Sequence, residues 1–212
     1  MSITFQDLAV SMIKCEQTKG QSVYQHGVSV YQYLEDLVYN LENENEIYPF
    51  HNSKNNWKLP NWIFQYKNGI LSNLHDEEVI SKYCLFHDCG KSFCREIDSE
   101  GKVHFPNHAE VSKRVFLEAG GCEIPAKLIG WDMDCHQLNS IEIAERCNKD
   151  WTVKDACTLL LVSFSELHSN ARMFSDGHIN ILESTSFKIK YKQLDKRGKQ
   201  ICKHYFGEKN EM

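Results

Sequence analysis

The feature of this sequence that most constrains its fold is the helical period of its apolar residues. Across residues 22–41, apolar side chains recur every three or four positions, which aligns them along one stripe of an α-helix. Strand signals are limited to residues 98–105, where a turn predicts a small hairpin. Further helices are predicted for residues 76–86, 107–119, 125–136, 140–147 and 153–173. We therefore predict a mainly α fold.

Chain length sets the expected domain organisation. The sequence has 212 residues, which fits one domain with a sizeable core. We expect a single domain over residues 1–212, with its core at about residues 20–175. A basic C-terminal segment, residues 176–212, is expected to pack on this core or to extend from it.

Charge is unevenly distributed along the chain. The formal net charge is −5, yet residues 187–206 carry a single acidic side chain, Asp195, among seven basic ones. The basic residues are Lys188, Lys190, Lys192, Lys196, Arg197, Lys199 and Lys203. A cationic segment on an acidic body favours a partner that carries phosphate. A solvated helix face explains the same charges equally well.

Composition narrows the class of protein. Hydrophobic residues make up 42% of the chain and charged residues 25%, which is typical of an ordered globular protein. The longest apolar stretch, residues 159–162, is far shorter than the ~20 residues that span a bilayer, and the N-terminus lacks a secretory signal pattern. Nine cysteines without a CxxC pair indicate reduced, mostly buried thiols. We therefore expect a cytoplasmic protein without a membrane partner.

Four histidines and one aspartate form an ordered series at helix positions and helix ends. The members are His26, His87, Asp88, His108 and His136. A lone histidine is more often a core or surface residue than a metal ligand. The adjacent His87-Asp88 pair changes that balance, because both side chains can reach one cation, or the carboxylate can bridge two. Mixed imidazole and carboxylate ligands suit iron, manganese and similar divalent ions. Gly90 is predicted to close the preceding helix in a left-handed conformation.

This series resembles the HD superfamily of metal-dependent phosphohydrolases. The pattern of that family is an early histidine, a His-Asp doublet often followed by Gly-Lys, later histidines and a closing aspartate. In this chain the doublet lies within HDCGKSF, and the later histidines lie within PNHAEVS and DMDCH. The resemblance covers about residues 20–175 and implies a helical HD-type fold with at most a small local hairpin.

The resemblance also implies which residues hold metal. His26, His87 and Asp88 correspond to the ligands of a first ion, and Asp88 could bridge to a second. His108 and His136 correspond to the additional histidines of members that bind two ions. One or two divalent ions are therefore expected, with iron, manganese, magnesium, nickel, cobalt and zinc as the candidates.

The chain departs from the family pattern at the closing aspartate. Residues 159–174, where it is expected, contain no aspartate. We predict that Glu166 replaces it as a metal ligand, with Asp155 as the second candidate and His168 as the third. Asn170 lies four residues after Glu166, so the two share one helix face, and Asn170 is predicted to contact substrate or to support the ligand.

The chemistry implied by the resemblance is hydrolysis of a phosphoester. A divalent metal can lower the pKa of water towards ~7 and neutralise charge on phosphoryl oxygens. Asp88 and Lys91 are the predicted catalytic residues, and Lys91 is also expected to reach a substrate phosphate. A solvated lysine at a helix end is the alternative for Lys91. Cys89 and Cys94 flank the doublet, but no activating partner is predicted for either thiol.

The expected substrate is a nucleotide or a phosphorylated nucleic-acid end, including a terminal or 2′,3′-cyclic phosphate. Ser186 and Lys188 are further predicted substrate contacts, because hydroxyls beside lysines can bind phosphate, although serine clusters are more often loops or helix caps. Two alternatives stay open. One is a non-catalytic HD module that binds metal and a nucleotide or nucleic acid. The other is a nucleic-acid-binding module whose salt-dependent binding survives chelation.

Overall fold

The computed structural model describes residues 3–18, 20–43, 57–171 and 181–207. In these residues α-helices dominate, and the strands form two short antiparallel hairpins, which confirms the predicted mainly α fold. Within the described ranges, no helix combines the length and the apolar character needed to cross a membrane. The helical period of the apolar residues was therefore sufficient to predict the fold class.

The regular elements are numbered in chain order. The helices are α1 (Phe5–Lys14), α2 (Val23–Asn43), α3 (Asn61–Leu71), α4 (Glu77–Phe86), α5 (His108–Glu118), α6 (Glu123–Gly130), α7 (Asp134–Gln137), α8 (Ser140–Lys149), α9 (Val153–Ala171) and α10 (Thr185–Phe206). The strands are β1 (Glu16–Thr18), β2 (Gln21–Ser22), β3 (Glu96–Ile97) and β4 (Val103–His104). Two 3-10 helices span Cys89–Phe93 and Ile181–Glu183.

The chain folds into two compact units, each built from two separate segments. The first unit comprises Met1–Tyr31 and Asp76–Met133. The second unit comprises Gln32–His75 and Asp134–Met212. The single domain expected over residues 1–212 stays a prediction.

The first helix of the first unit shows how local sequence fixes a helix start. Thr4 and Asp7 form a capping box, in which the Asp7 amide donates to the Thr4 hydroxyl and the Asp7 carboxylate accepts from the Thr4 amide. Leu8 and Met12, four residues apart, are fully buried, so α1 packs through one apolar face. This helix was not among those predicted from the sequence.

Two glycines allow backbone segments of the first unit to approach closely. A Cβ atom on Gly27 of α2 would lie 2.6 Å from the carbonyl oxygen of Leu85 in α4. A Cβ atom on Gly90 would lie 2.3 Å from the backbone nitrogen of Ser112 in α5. Both distances are shorter than van der Waals contact, so only glycine fits at these positions. Helices α2, α4 and α5 therefore meet beside the His-Asp doublet.

The prediction that Gly90 ends a helix in a left-handed conformation is wrong. Helix α4 ends at Phe86, and its C-cap, His87, keeps right-handed angles of φ −52° and ψ −33°. The chain then continues into the 3-10 helix, where the Gly90 amide donates to the Ser112 hydroxyl at 2.8 Å. Glycine is required here for close packing, not for chain reversal. The positive-φ glycines of the described residues are Gly20, Gly101, Gly120 and Gly207.

The second unit is organised around α9. Buried side chains occupy 15 of its 19 positions, so this helix is covered on nearly every side. Helix α10 packs against α3, α7, α8 and α9. A Cβ atom on Gly198 of α10 would lie 2.6 Å from the Trp62 ring of α3, so glycine lets these two helices approach closely. In its described part, the basic C-terminal segment is thus mostly a packed helix.

The predicted helix at residues 125–136 is in fact two helices, α6 and α7. At the end of helix α6, the Trp131 amide is shared between the carbonyls of Lys127 and Leu128, a pattern common at helix ends. His136 therefore lies on the short helix α7.

The predicted hairpin at residues 98–105 is confirmed by β3 and β4, with Gly101 at φ 80° in its turn. The end predicted for α9, residue 173, lies outside the described residues.

Candidate functional site

The His-Asp doublet and two further histidines of the series meet in the first unit. His26 lies in the first turn of α2, His87 caps the end of α4, and Asp88 follows it. His108 is the first residue of α5. His26, His87 and Asp88 are buried, with exposures of 0%, 1% and 2%. The His108 side chain is 18% exposed and is the most accessible of the four.

The Asp88 carboxylate is the centre of this group. Its Oδ2 lies 3.3 Å from Nε2 of His87 and 3.7 Å from Nε2 of His26. Its Oδ1 lies 3.5 Å from Nε2 of His108. The ring centroids of His26 and His87 are 5.1 Å apart. Three imidazole nitrogens from three helices thus face one buried carboxylate, and we call this group the His-Asp cluster.

Backbone bonds fix the orientation of two rings in the His-Asp cluster. Nδ1 of His87 lies 2.8 Å from the carbonyl oxygen of Cys84, and Nδ1 of His108 lies 3.1 Å from that of Phe105. A carbonyl oxygen can only accept, so Nδ1 must carry the proton in each ring. In the neutral form of such a ring the lone pair is on Nε2, the atom that faces Asp88. This is the tautomer that a metal-binding histidine needs.

Lys91 is held by the same carboxylate. Its Nζ lies 2.6 Å from Oδ2 of Asp88, and its side chain is 12% exposed. Burial raises the pKa of Asp88. The Lys91 cation, and after it His87 and His26, lower the pKa by more than burial raises it, so the pKa is well below its usual value. Asp88 is therefore ionised at neutral pH, as a metal ligand must be.

The start of α5 depends on an unusual backbone angle. Asn107 has φ 52°, the one positive φ of a non-glycine residue in the described part of the chain. Asparagine tolerates this left-handed conformation better than most residues. Pro106 precedes it, and together they turn the chain from the β3–β4 hairpin into α5. His108 thereby enters the His-Asp cluster at the N-terminal end of its helix.

The His-Asp cluster combines imidazole nitrogens with a carboxylate, which are the ligand types that borderline divalent ions accept. Ligand nitrogens of His26 and His87 lie within 4.8 Å of each other. Because metal–nitrogen bonds are ~2.1 Å long, one ion between them can bind both after small side-chain shifts. Neutral imidazoles with an ionised carboxylate form a donor set that borderline divalent ions accept. His26 and His87 therefore belong to a group that could hold a metal ion.

The remaining predicted ligands lie in the second unit. His136 on α7 places Nε2 3.0 Å from Oε2 of Glu166 on α9. Asn170, one turn later on α9, donates to Oε1 of Glu166 at 3.1 Å. The expected proximity of Glu166 and Asn170 is thus confirmed. That Glu166 and His136 bind metal, and that Asn170 contacts substrate, stay predictions.

Asp155 and His168, the second and third candidates for the closing metal ligand, support the fold of the second unit. Oδ1 of Asp155 lies 2.8 Å from Nε2 of His75, and Oδ2 accepts from the amide and hydroxyl of Thr152 at the start of α9. His168 holds a backbone carbonyl with Nδ1 and accepts the Lys58 amide with Nε2 at 3.2 Å. Burial lowers the pKa of His168 to about 4. Both carboxylate oxygens of Asp155 and both ring nitrogens of His168 therefore already have hydrogen-bond partners within the fold.

The serine cluster before α10 serves the helix. The Ser184 side chain accepts from the amide of Phe187 at 3.2 Å and so caps α10. Lys188 pairs with Glu183 at 2.6 Å, and its side chain is 48% exposed. Ser186 is half-buried. Contact of Ser186 and Lys188 with substrate stays a prediction.

The cysteines are mostly buried thiols. All nine are free, and Cys94 and Cys122 are the two that are at least partly exposed. Burial raises the pKa of Cys89, beside the doublet, to about 12. Burial also raises the pKa of Cys94. Neither thiol is therefore prepared to act as a nucleophile at neutral pH.

Arg197 on α10 is a residue of interest that sequence reasoning missed. Its guanidinium donates to three backbone carbonyls around α7, at 2.9 Å for His136, at 3.3 Å for Cys135, and also for Leu138. A planar guanidinium can serve several acceptors at once, which lysine cannot. Arg197 therefore fixes the backbone that carries His136. The single arginine among six lysines was the available signal, but nothing local indicated its partners.

Comparison with known proteins does not assign the chain to a family. No family model matches it, and neither the curated proteins nor the solved structures give a match. The chemistry of the His-Asp cluster is therefore the basis for proposing a function.

Proposed function

We propose that this protein is a metal-dependent phosphohydrolase of the HD type, acting on a phosphoester of a nucleotide or of a nucleic-acid end. One observation carries this proposal: three imidazole Nε2 atoms lie 3.3 to 3.7 Å from a single buried carboxylate. Structural histidines do not need a common anionic centre. The ordered sequence series that resembles the HD superfamily supports the same conclusion.

In this proposal, His26, His87 and Asp88 would hold a first divalent metal, and His108, 3.5 Å from Asp88, would be available to a second. When bound, the metal would lower the pKa of a water molecule and neutralise charge on the phosphoryl oxygens. The backbone bonds of His87 and His108 present their Nε2 lone pairs without any change of tautomer. Asp88 contributes the anionic ligand because its pKa is well below the usual range, despite a burial that raises it.

Lys91 has two roles in the proposal. In the structure it neutralises Asp88, which lies 2.6 Å away and would otherwise be a buried charge. With a divalent cation bound at Asp88, the Lys91 ammonium group would be available to a phosphoryl oxygen of the substrate. Lys91 and His108 are the most exposed members of the group, at 12% and 18%. The substrate therefore approaches from their side.

The decisive experiment combines metal content with hydrolysis. The purified protein is loaded with a panel of divalent ions, analysed for bound metal, and screened against phosphomonoesters, 2′,3′-cyclic phosphates and phosphorylated oligonucleotide ends. We expect His87→Ala and Asp88→Ala to lose both bound metal and turnover, because each removes a ligand. His104→Ala is the matched control, since His104 is exposed on the β3–β4 hairpin and pairs with Asp98.

Three outcomes are informative. Full metal occupancy and native turnover in His87→Ala or Asp88→Ala would refute the site. Metal bound by the native protein with no turnover of any phosphoester would instead support a non-catalytic HD module. The number of ions at saturation tests the family resemblance, which predicts a second ion held with the help of His108 and His136.

A further inference from the structure

The first unit contains a cleft that the proposed metal site does not use. It has a volume of about 550 Å³ and lies between the end of α1 and the end of the 3-10 helix Cys89–Phe93. The lining residues are Ser11, Lys14, Cys15, Glu16, Ser92 and Arg95. Two elements that are far apart in sequence thus form one recess, and charged side chains line part of it.

The charged side chains of this cleft favour an anion. Lys14 and Arg95 are exposed, and in the described ranges neither forms an ion pair. Glu16 also lines the cleft, but its Oε1 accepts the amide of Gly20 at 2.8 Å. The three charges leave the cleft with one net positive charge, on a chain whose net charge is −5. A local cationic recess on an acidic protein is a site to which anions are attracted.

The buried thiol of Cys15 reports the field inside the cleft. Burial raises its pKa, whereas the positive charges of Arg95 and Lys91 lower it and the negative charge of Asp88 raises it. Arg95 lines the cleft together with Cys15, so its positive charge can stabilise a negative charge there. The C-terminal end of α1 adds a partial negative charge at the same place, which Lys14 in the last turn offsets. Lys14 and Arg95 are the two cationic side chains that line the cleft.

Two hydroxyls add a polar wall. Ser92 donates to Oγ of Ser11 at 3.0 Å, with the Cys89 carbonyl as a second acceptor at 3.3 Å. A hydroxyl carries one proton and rotates freely, so Ser92 can turn that proton to an anion in the cleft. Ser92 also directly follows Lys91, which is bound to Asp88. One wall of the cleft is thus continuous with the His-Asp cluster.

We propose that this cleft binds a phosphate-type oxyanion through Lys14, Arg95 and the Ser92 hydroxyl. The anion is either a second phosphate of the substrate, distant from the bond that is cleaved, or free inorganic phosphate. The first source rests on the proposed function, whereas the second does not. A phosphate held here would favour substrates with two phosphate groups over simple monoesters.

The binding test uses the full chain, labelled with nitrogen-15, in chelator without added metal. Inorganic phosphate is titrated against chloride at constant ionic strength, and amide shifts are followed. We expect saturable shifts at Ser11, Cys15, Ser92 and Arg95. The double variant Lys14→Ala/Arg95→Ala should bind phosphate at least about tenfold more weakly, the loss expected for charge-assisted hydrogen bonds. His87→Ala should bind as the native chain does.

Matched controls separate this site from general surface charge. Lys127 lies in the last turn of α6 as Lys14 does in α1, and Arg114 is an exposed arginine on α5. The double variant Lys127→Ala/Arg114→Ala removes the same charge and should keep native phosphate binding. The absence of saturable shifts in the cleft, or equal binding by both double variants, would overturn the proposal. Shifts centred on Lys91 and His108 alone would do the same.

A kinetic arm distinguishes the two sources of phosphate. With metal-loaded protein, a nucleoside 3′,5′-bisphosphate is compared with the corresponding monophosphate. If Lys14→Ala/Arg95→Ala raises KM about tenfold for the bisphosphate alone, a second substrate phosphate occupies the cleft. If neither KM changes while the shifts are lost, free phosphate is the ligand. If the protein hydrolyses nothing, the proposed function fails, and the shifts still decide whether the cleft binds phosphate.

Discussion

His87 in the first unit and His168 in the second unit are anchored in the same way. In each ring, Nδ1 lies 2.8 Å from a backbone carbonyl of the preceding turn, and each side chain is buried. The two rings differ at Nε2. That of His87 faces the Asp88 carboxylate at 3.3 Å, whereas that of His168 accepts a backbone amide at 3.2 Å. Nε2 of His87 therefore faces an anionic group, whereas Nε2 of His168 satisfies a backbone amide in the protein interior.

This difference explains which histidine is suited to chemistry. The Nε2 lone pair of His168 is used by the Lys58 amide, and its ring lies against Trp57 and Phe187, with centroid distances of 4.3 and 5.2 Å. Burial lowers its pKa to about 4, so the ring is neutral and inert at physiological pH. A bond at Nδ1 is thus common to both uses of histidine. The group that faces Nε2 is what distinguishes His87, the proposed ligand, from the structural His168.

The largest effect on stability is expected at the structural histidine. His168→Ala leaves the Lys58 amide without its acceptor and a cavity beside Trp57, so unfolding should be easier by about 3 kcal/mol. Chemical denaturation followed by circular dichroism measures this loss. His104→Ala, at a 45% exposed position, is the control and should change stability little. Similar losses in both variants would remove the structural role assigned to His168.

The second prediction concerns stabilisation by metal. A divalent ion at 100 times its dissociation constant should stabilise the native protein by about 2.7 kcal/mol, since it binds the folded chain only. Asp88→Asn should lose this increment, because the amide cannot replace the anionic ligand. His168→Ala should keep it in full, although its starting stability is lower. Loss of the increment in His168→Ala would show that the two rings do not differ as proposed. Unfolding with chelator and with metal provides the measurement.

The third prediction concerns Arg197. Arg197→Ala leaves three carbonyls around His136 without their donor and should cost about 2 kcal/mol of stability. Arg197→Lys should recover only part of this loss, because an ammonium group cannot reproduce the planar fork. Lys196→Ala, at the neighbouring position, is the control. Denaturation midpoints measure the stability, and equal values for all three variants would contradict the role of Arg197.

The sequence predicted what is encoded locally. The apolar stripe of α2 and the turn at Gly101 are properties of neighbouring residues, and the helix and the hairpin predicted from them are confirmed. The order of the four histidines is a pattern that spans residues 26–136. The proximity of His26, His87 and His108 to Asp88 agrees with that order, but the spacing of 3.3 to 3.7 Å could not be read from it. Fold class is therefore easier to predict than the geometry of side chains.

The features that escaped prediction depend on distant residues. Gly90 follows a helix, which favours a left-handed cap, but contact with Ser112 requires close packing instead. Arg197 looked like one more charge in a basic segment, whereas its acceptors lie about 60 residues earlier in the chain. Local rules give no weight to such long-range partners. Helix α1 was missed for a simpler reason, since its core-facing residues Leu8 and Met12 are too few to show a clear period.

The smallest effect on stability is expected in the exposed lysines of α10. Lys188, Lys190 and Lys192 are exposed, and an exposed ion pair such as Lys188–Glu183 contributes little. Replacing all three by glutamine should therefore change the free energy of unfolding by less than ~0.5 kcal/mol. This small effect contrasts with the loss expected for Arg197 on the same helix, which donates hydrogen bonds to backbone carbonyls around α7.

Binding of a polyanionic substrate should nevertheless respond to the same triple variant. Each lysine that contacts a phosphate releases counterions, so the slope of log affinity against log salt should fall by roughly one to two for an oligonucleotide end. Turnover of a small phosphoester should not change, because such a substrate is too short to reach remote lysines. A second triple variant, at the exposed Lys102, Lys127 and Lys154, removes equal charge elsewhere and should leave the slope unchanged. If both triple variants behave alike, net charge alone attracts the substrate and α10 has no special part in it. If the α10 variant also loses turnover of the small ester with an unchanged melting midpoint, one of its lysines reaches the reacting phosphate.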